Sequence, residues 1–420
     1  MSHPTPVSRQ DRIETLDVLR GFALLGILTM NIRGMAAPLS AYMYPAAVFE
    51  YSGASRLAYL FTNVVSDLKM MGLFSMLFGA SVLLYSAKLT ASGQPPRGLW
   101  FRRMGWLLVI GLVHAYFIWG GDILVPYALC GMLILWWVRR LAPGALLAWS
   151  IAVLAIGAAL TVAHGLGWEG MSEAERAQEA AIMMPTPEQA REHVGWMLGP
   201  YTETVANHAP IVFLFQTVIF LTFFLWRCSG MMLLGMALYK WGFLDGSRPT
   251  RTYALTASFC LPIGLALCTY GALELDRAGF ALPERIILDL WNYAGAIFVS
   301  IGYAALIILA VKHGALSGLR RALAAVGQMA LTNYLLHSIV ASVLFLGWGF
   351  GLAGQFDYAE QLAVVVTIWA VQLALSPVWL ARYRFGPAEW LWRSLTYWQR
   401  QPLRREAQHS SSLGGAVAGT

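Results

Sequence analysis

The sequence predicts an all-α protein that crosses a membrane about ten times, with both termini in the cytoplasm. Of its 420 residues 58% are hydrophobic and only 12% are charged, and the mean hydropathy is +0.58. Soluble domains average about 25% charged residues, so this composition indicates that lipid is the main solvent of the chain. Long apolar runs also alternate with short basic loops, which explains the net charge of +7 without nucleic-acid binding.

Ten apolar runs come close to the roughly 20 residues that a helix needs to cross hydrocarbon. They are 16–36, 68–88, 104–121, 123–138, 144–164, 209–239, 252–273, 289–311, 324–346 and 360–381. The stretch 55–67 carries an amphipathic stripe and predicts a helix lying in the interface. The run 209–239 exceeds one span, but dividing it would invert every later loop, so a single helix is predicted.

The loop charges predict the orientation of the bundle. With the N-terminus inside, the cytoplasmic loops and tail hold roughly 20 basic residues and the opposite side about six. Residues 1–15 are therefore predicted as a cytoplasmic segment and 16–385 as the transmembrane bundle. Residues 386–405 mix Trp with Arg and predict an amphipathic cytoplasmic tail, whereas 406–420 are rich in Ser, Gly and Ala and predict disorder.

The longest loop, about 165–208, is placed outside. Ser172 with Glu175 predicts a capping box, and the segment from Thr186 to Gln189 predicts a second helix start. Gly199 and Pro200 would end that second helix. Two short helices are therefore expected over the outer face.

The sequence lacks the motifs of several kinds of functional site. The four cysteines all lie inside apolar runs without a C-x-x-C pair, so we interpret them as small packing residues rather than as metal ligands or disulfides. No metal is expected. The sequence also contains no Walker A loop, no H-E-x-x-H and no G-x-S-x-G, so ATP-driven transport, zinc proteolysis and serine hydrolysis lack their usual motifs.

Ionisable residues inside apolar runs are costly and are therefore candidates for function. His114 lies eleven residues beyond Arg103, roughly 16 Å into its predicted helix. Asp122 follows eight residues later, and Gly120-Gly121 could break the helix so that Asp122 folds back and orients the imidazole. A purely structural histidine is the alternative.

Three other runs carry candidates. His337 has Asn333 one turn earlier on the same helix face, which suits either catalysis or a helix–helix hydrogen bond. Arg227 lies too deep in its run to reach water easily and requires an anion. Asp67 and Lys69 are two residues apart and do not face each other on a helix, so each is expected to find its partner elsewhere.

The first run begins with Asp17 and Arg20 on one face, which predicts either an ion pair with interface anchoring or a functional cation. Asn31 follows eleven residues after Arg20. Arg102 and Arg103 lie at the same predicted inner face.

Four ordered motifs resemble the YeiB-like bacterial inner-membrane proteins. They lie at residues 12–28, 111–124, 327–335 and 386–393, so the resemblance covers nearly the whole chain, and the C-terminal part is similar to that family's domain of unknown function. The family in turn resembles membrane acyltransferases that include heparan-glucosaminide N-acetyltransferase and the acyltransferase-three type. A multi-pass protein of the inner membrane is therefore expected.

The resemblance implies transfer of an acyl group from cytoplasmic acyl-CoA to a sugar, glycan or similar hydroxyl or amine acceptor. The CoA phosphates would bind Arg20, Arg102, Arg103 and Arg227. The acceptor would lose its proton to His114, oriented by Asp122, or to His337, with Asn31 and Asn333 as oxyanion donors. The acyltransferase-three type has a histidine eleven residues after its first-helix arginine. This sequence has Asn31 there, so that motif supplies no base.

Two other functions stay open. A small-molecule or lipid-precursor transporter would use Arg227, Asp67 and Lys69 along its pathway, although no internal repeat is evident. A scaffold would need none of these residues. The bilayer is the expected partner in every case, and self-association into a homo-oligomer is left open.

Overall fold

A computed structural model describes residues 14–405, and within this range the chain is built from helices. The helices are α1 Glu14–Ala36, α2 Leu39–Met43, α3 Gly53–Val65, α4 Lys69–Ala91, α5 Pro96–Phe117, α6 Leu124–Cys130, α7 Trp136–Val138, α8 Pro143–Gly167, α9 Glu173–Met183, α10 Pro187–Leu198, α11 Tyr201–Leu214, α12 Leu225–Lys240, α13 Thr250–Arg277, α14 Glu284–Lys312, α15 Ser317–Gln328, α16 Ala330–Phe345, α17 Tyr358–Arg382 and α18 Pro387–Tyr397. Residues 14–405 contain no strand beyond a single antiparallel bridge between Tyr383 and Arg404. The all-α prediction is confirmed.

Seven helical segments of the described chain are long and apolar enough to cross a membrane, or eight if the bent pair α15–α16 is one span. This confirms a multi-pass membrane protein. Two expected spans do not qualify: α5 begins with several arginines, and Leu124–Val138 is shorter than the roughly 20 residues a span needs. The total of ten spans and the cytoplasmic location of the termini remain predictions. The predictions for residues 1–13 and 406–420 concern segments outside the described residues.

The run 209–239 is one continuous helix, as predicted. It belongs to an uninterrupted segment Tyr201–Lys240 in which a π-helical stretch, Phe215–Phe224, joins α11 to α12. In α12 every residue from Arg227 to Ala237 is buried, so this helix lies at the centre of the bundle. An arginine at its start must therefore find partners inside the protein.

The span predicted over 324–346 contains a sharp bend: α15 and α16 meet at Met329 at an angle of 83°. Two contacts explain the bend. A Cβ on Gly327 would lie 2.0 Å from the Asp17 carbonyl oxygen, so only glycine lets α15 pack this closely against α1. The Glu389 carboxylate then accepts hydrogen bonds from the free N–H groups of Leu331 and Thr332, at 2.6 and 3.2 Å, and so caps the new helix start.

The long loop at about 165–208 contains the two predicted short helices. Ser172 caps α9 and Thr186 caps α10, each with its complete capping box, and α11 begins directly after Gly199 and Pro200. The amphipathic helix predicted at 55–67 is helix α3. Its buried face carries polar residues, including Tyr59, while apolar residues such as Leu57 point outward.

The predicted C-terminal amphipathic helix is α18, and it packs against α5. The indole nitrogen of Trp392 donates to the Arg103 carbonyl at 2.8 Å, and the Arg103 guanidinium lies 3.6 Å from the centre of the Trp392 ring. Together with the Glu389 cap, this attaches α18 to the ends of two helices that carry candidate residues.

Candidate functional site

His114 and Asp122 meet as the sequence predicts. His114 lies in the last turn of α5, and the non-helical residues after it turn back so that Asp122 Oδ1 is 2.7 Å from His114 Nδ1. Asp122 Oδ2 accepts the Val125 N–H at 2.7 Å, which fixes the carboxylate. The helix ends at Phe117, before the glycine pair, and a Cβ on Gly121 would collide with the Trp119 ring at 2.3 Å.

The second imidazole nitrogen, His114 Nε2, lies 2.9 Å from Ser338 Oγ on α16. Neither side chain is exposed to solvent. In the tautomer in which Nδ1 donates to Asp122, Nε2 accepts a hydrogen bond from the Ser338 hydroxyl. We call the group formed by Ser338, His114 and Asp122 the His114 centre. It is a serine–histidine–aspartate arrangement of the kind used in nucleophilic catalysis.

Sequence reasoning did not find Ser338. Serine is common in membrane helices, and the residue stands beside the more conspicuous His337, so nothing local distinguishes it. Tyr334, one turn earlier on α16, also belongs to this region: its ring lies 5.2 Å from the His114 ring, and its hydroxyl accepts the Ile123 N–H at 3.3 Å.

An open groove of about 380 Å³ lies between α5, the start of α11 and the end of α16, and none of the three residues of the His114 centre lines it. Ile339 follows Ser338 in α16, and Ser342 lies one turn beyond it; both line the groove together with Phe117 of α5. The remaining lining residues are Ile118, Tyr201 and Trp348. This space is mainly apolar and suits a hydrocarbon group more than a charged one.

His337 and Asn333 belong to a different group of polar residues, which we call the His337 centre. His337 Nε2 lies 2.7 Å from Gln372 Oε1, and Gln372 Nε2 donates to the Asn333 carbonyl at 3.1 Å. The Asn333 amide donates to the Val326 carbonyl and to Ser376 Oγ, both at 3.2 Å. Asn333 therefore directs its amide group at these partners and not at the His114 centre.

Asn31 joins neither centre through a hydrogen bond. It is half-buried on α1, and its side chain forms no hydrogen bond with any of residues 14–405. Its amide is thus free to meet a ligand, although the predicted convergence of His114, Asn31 and Asn333 on one point is not observed.

Two of the predicted CoA-binding arginines lie near each other at the end of the bundle where α1 begins. Arg20 donates to Asp17 at 2.8 Å and to Ser81 at 3.3 Å, and Arg103 stacks on Trp392. Arg20 and Arg103 are close enough to repel each other electrostatically. The carboxylates of Asp17 and Glu389 lie in the same region and offset part of this positive charge.

Arg102 and Arg227 have separate surroundings. Arg102 lies 5.9 Å from the Trp398 ring, and its buried Nε has no hydrogen-bond partner among the described residues. Arg227 donates to the Tyr293 carbonyl of α14 at 2.9 Å and stacks on that ring, away from α18. Its assignment to CoA stays a prediction that its contacts do not support.

Asp67 and Lys69 share one partner, Asn292. The Asn292 amide donates to Asp67 at 2.8 Å while its oxygen accepts from the buried Lys69 ammonium. Nearby, two buried arginines that sequence reasoning counted only as outer loop charges, Arg33 and Arg285, join the same region. The only local sign of Arg33 was its place inside an apolar run.

The part of the chain that the structure describes contains no cluster of three or more His, Cys, Asp or Glu residues placed to hold a metal ion. All four cysteines are buried and unbridged.

Comparison with known proteins agrees with the resemblance of the motifs. A family described as a protein of unknown function (DUF418) matches residues 238–399. The chain is 28% identical to the uncharacterized protein YxaH of Bacillus subtilis over 425 residues, covering 97% of this chain and all of the relative. It is 33% identical to the uncharacterized protein YeiB of Escherichia coli over 390 residues, covering 92% of this chain and 96% of the relative. No solved structure matches. The chain therefore belongs to the YeiB family, and it is a multi-pass membrane protein with a buried serine–histidine–aspartate centre.

Proposed function

We propose that this protein is a transmembrane acyltransferase of the cell inner membrane that moves an acyl group from cytoplasmic acyl-CoA to a hydroxyl or amine acceptor, such as a sugar or glycan. The observation that carries the proposal is the line from Asp122 through His114 to Ser338, at 2.7 and 2.9 Å. A carboxylate-oriented imidazole whose free nitrogen faces a hydroxyl is the arrangement that acyl transfer requires.

The first half-reaction loads the acyl group onto the protein. The Ser338 hydroxyl gives its proton to His114 Nε2, and Ser338 Oγ forms a bond with the thioester carbonyl carbon. The carbon–sulfur bond breaks, and the proton passes from His114 to the departing CoA thiolate. Asn31, whose amide is free, is the remaining candidate donor to the transient oxyanion.

The second half-reaction releases the acyl group. The acceptor hydroxyl or amine gives a proton to His114 and attacks the acyl carbonyl, and Ser338 recovers the proton as it leaves. The apolar groove of about 380 Å³ that includes Ile339 and Ser342 of α16 is large enough for the hydrocarbon part of an acyl group, which would have to pass between the helices to reach Ser338. A covalent carrier also explains how an acyl group passes between substrates that bind at opposite faces.

The CoA phosphates are assigned to Arg20 and Arg103, with Arg102 beside them. The mutual repulsion of Arg20 and Arg103 would be relieved by a phosphate. Arg227 is left out because its contacts lie with Tyr293 on α14.

The test uses the full chain in nanodiscs with radiolabelled acetyl-CoA and a panel of sugar and glycan acceptors. We expect label transfer by the wild type and a loss of about 10²–10⁴-fold in His114→Gln, the usual contribution of a general base. His164→Gln is the matched control, because this exposed histidine pairs with Glu179 away from the centre. Transfer that is equal in both variants would refute the role of His114.

A transporter is the second candidate, and one observation favours it. Nε and one terminal nitrogen of Arg227 are buried without a hydrogen-bond partner among the described residues, as in a side chain that awaits an anionic solute. Substrate-dependent uptake into proteoliposomes without acyl-CoA, lost in Arg227→Gln but retained in His114→Gln, would support transport over transfer.

A further inference from the structure

Arg33, at the end of α1, is a buried cation with an unused donor. Its side chain is 2% exposed. One terminal nitrogen, Nη2, donates to the Tyr59 carbonyl at 2.7 Å and to the Thr62 hydroxyl, and the guanidinium lies 3.9 Å from the centre of the Tyr59 ring. The other terminal nitrogen, Nη1, is buried and has no hydrogen-bond partner among residues 14–405.

Arg285, at the start of α14, lies close to the same tyrosine. It is 6% exposed, and its Nη1 donates to the Met43 carbonyl. Its Nε lies 3.4 Å from Asp289 Oδ2 but without hydrogen-bond geometry, so it too is an unused buried donor. Both arginines interact electrostatically with Tyr59. Two guanidinium groups therefore lie near Tyr59, and each has one buried nitrogen without a hydrogen-bond partner among the described residues.

The charges around these arginines do not balance. Asp67 accepts from Tyr42 and Asn292, and Asn292 in turn binds Lys69. The basic members of this group are Arg33, Lys69 and Arg285, and the acidic members are Asp67 and Asp289. An uncompensated buried cation costs several kcal/mol, so one more anion would stabilise the group.

We infer that this group, named the Arg33 cluster, binds a phosphate group carried by a ligand. A single planar carboxylate is best matched by one bidentate guanidinium, whereas a tetrahedral phosphate offers oxygens in several directions and suits donors from two arginines. The cluster reaches the surface past Tyr42, which is half-buried, and past Asp289, whose side chain is 42% exposed. The phosphate belongs either to a water-soluble ester or to a lipid headgroup.

The cluster lies next to the His114 centre. The Trp119 indole donates to the carbonyl of Gly34, the neighbour of Arg33, at 3.1 Å, and the Trp119 ring lies 6.4 Å from the His114 ring. A ligand held by its phosphate at Arg33 would therefore extend toward Ser338. Phosphate binding itself does not depend on acyl transfer and is measured without acyl-CoA.

The test measures thermal stability of the full chain in an uncharged detergent. One arm adds sodium phosphate, with sodium chloride at equal ionic strength as reference, and the other adds phosphatidylglycerol, with a phosphate-free glycolipid as reference. A saturable rise in Tm in the first arm identifies a soluble phosphate ester, and a rise in the second alone identifies a lipid headgroup. No rise above the reference in either arm would overturn the inference.

Two variants locate the binding. Asp289→Asn removes a partly exposed negative charge beside Arg285, so we expect the phosphate Kd to fall by about threefold or more. Arg33→Gln should abolish the rise in Tm. Arg33→Lys keeps the positive charge and is the control for a folding defect caused by losing that charge. Arg277→Gln is the matched control because Arg277 is exposed and pairs with Glu274. An unchanged Kd in Asp289→Asn would place the phosphate elsewhere and overturn the assignment.

Discussion

Two histidines that are buried within residues 14–405, His114 and His337, stand in contrasting environments. His114 and His337 are both shielded completely from solvent, and both involve α16. His114 has a carboxylate on one nitrogen and a hydroxyl on the other. His337 has the amide of Gln372 on Nε2, and its buried Nδ1 has no partner among the described residues.

This contrast favours His114 over His337 as a general base. A carboxylate stabilises the imidazolium that forms when a base takes a proton, whereas a neutral amide only fixes the ring. His337 contacts Gln372 of α17, so we expect it to connect α16 to α17 and to help position the next residue, Ser338. The following predictions test this division, from the largest expected effect to the smallest.

Asp122→Asn should lower acyl transfer by about 10²–10⁴-fold, because the imidazole loses the group that sets its tautomer and stabilises its charge. The measurement is label transfer from acetyl-CoA at saturating substrate. Glu188→Gln, an exposed carboxylate paired with Arg191, is the control. An Asp122→Asn variant as active as this control would show that the carboxylate has a structural role only.

Ser338→Ala should lower transfer by about 10²-fold or more, since the acyl group loses its covalent carrier. Wild-type protein incubated with acetyl-CoA alone should gain one acetyl mass on Ser338, seen by mass spectrometry of peptides. Ser150→Ala is the control, because this buried serine only bonds the Gly230 carbonyl. Full activity of Ser338→Ala would mean that His114 acts directly on the acceptor.

His337→Gln should change transfer by less than about tenfold while lowering the free energy of unfolding by about 1–3 kcal/mol, the cost of leaving a buried partner unsatisfied. Transfer rate and Tm are measured on the same preparation. A loss of transfer as large as that of His114→Gln, at unchanged Tm, would break the contrast between the two centres.

Glu389→Gln should have the smallest effect. It should lower the free energy of unfolding by about 1–2 kcal/mol at neutral pH, because it weakens the cap on α16. Both centres use α16, so Tm should fall together with a modest loss of transfer. Gln keeps one carbonyl oxygen for Leu331 and Thr332 but cannot accept from the Thr332 hydroxyl at its second position.

The pH dependence of this variant has a definite sign. Burial raises the pKa of Glu389 above its usual value, opposed in part by the hydrogen bonds from Thr332 and Leu331. A raised carboxyl pKa in the folded state contributes stability that is present at low pH and is lost as the pH rises through the folded pKa. The Tm of the wild type minus the Tm of Glu389→Gln should therefore increase as the pH falls from 7 toward the ordinary glutamate range. No change in the difference between pH 7 and pH 5 would contradict this.

Local patterns were enough to predict several elements of the fold. The capping boxes at Ser172 and Thr186 involve residues three positions apart, and the continuous helix over 209–239 follows from hydropathy and loop charge. The contact of His114 with Asp122 was also predictable, since the two residues are eight positions apart and a short turn suffices.

The sequence by itself determined that the chain is helical, lies in a membrane and buries a few ionisable groups, because hydropathy, capping and charge asymmetry are properties of neighbouring residues. Only the tertiary structure decided that His114 meets Ser338, 224 positions away, and that His337 meets Gln372 instead. It also decided the bend at Met329, where Gly327 packs on α1 and Glu389 caps α16. In an apolar bundle, many helix arrangements bury the same residues, and the polar contacts between distant helices select one of them.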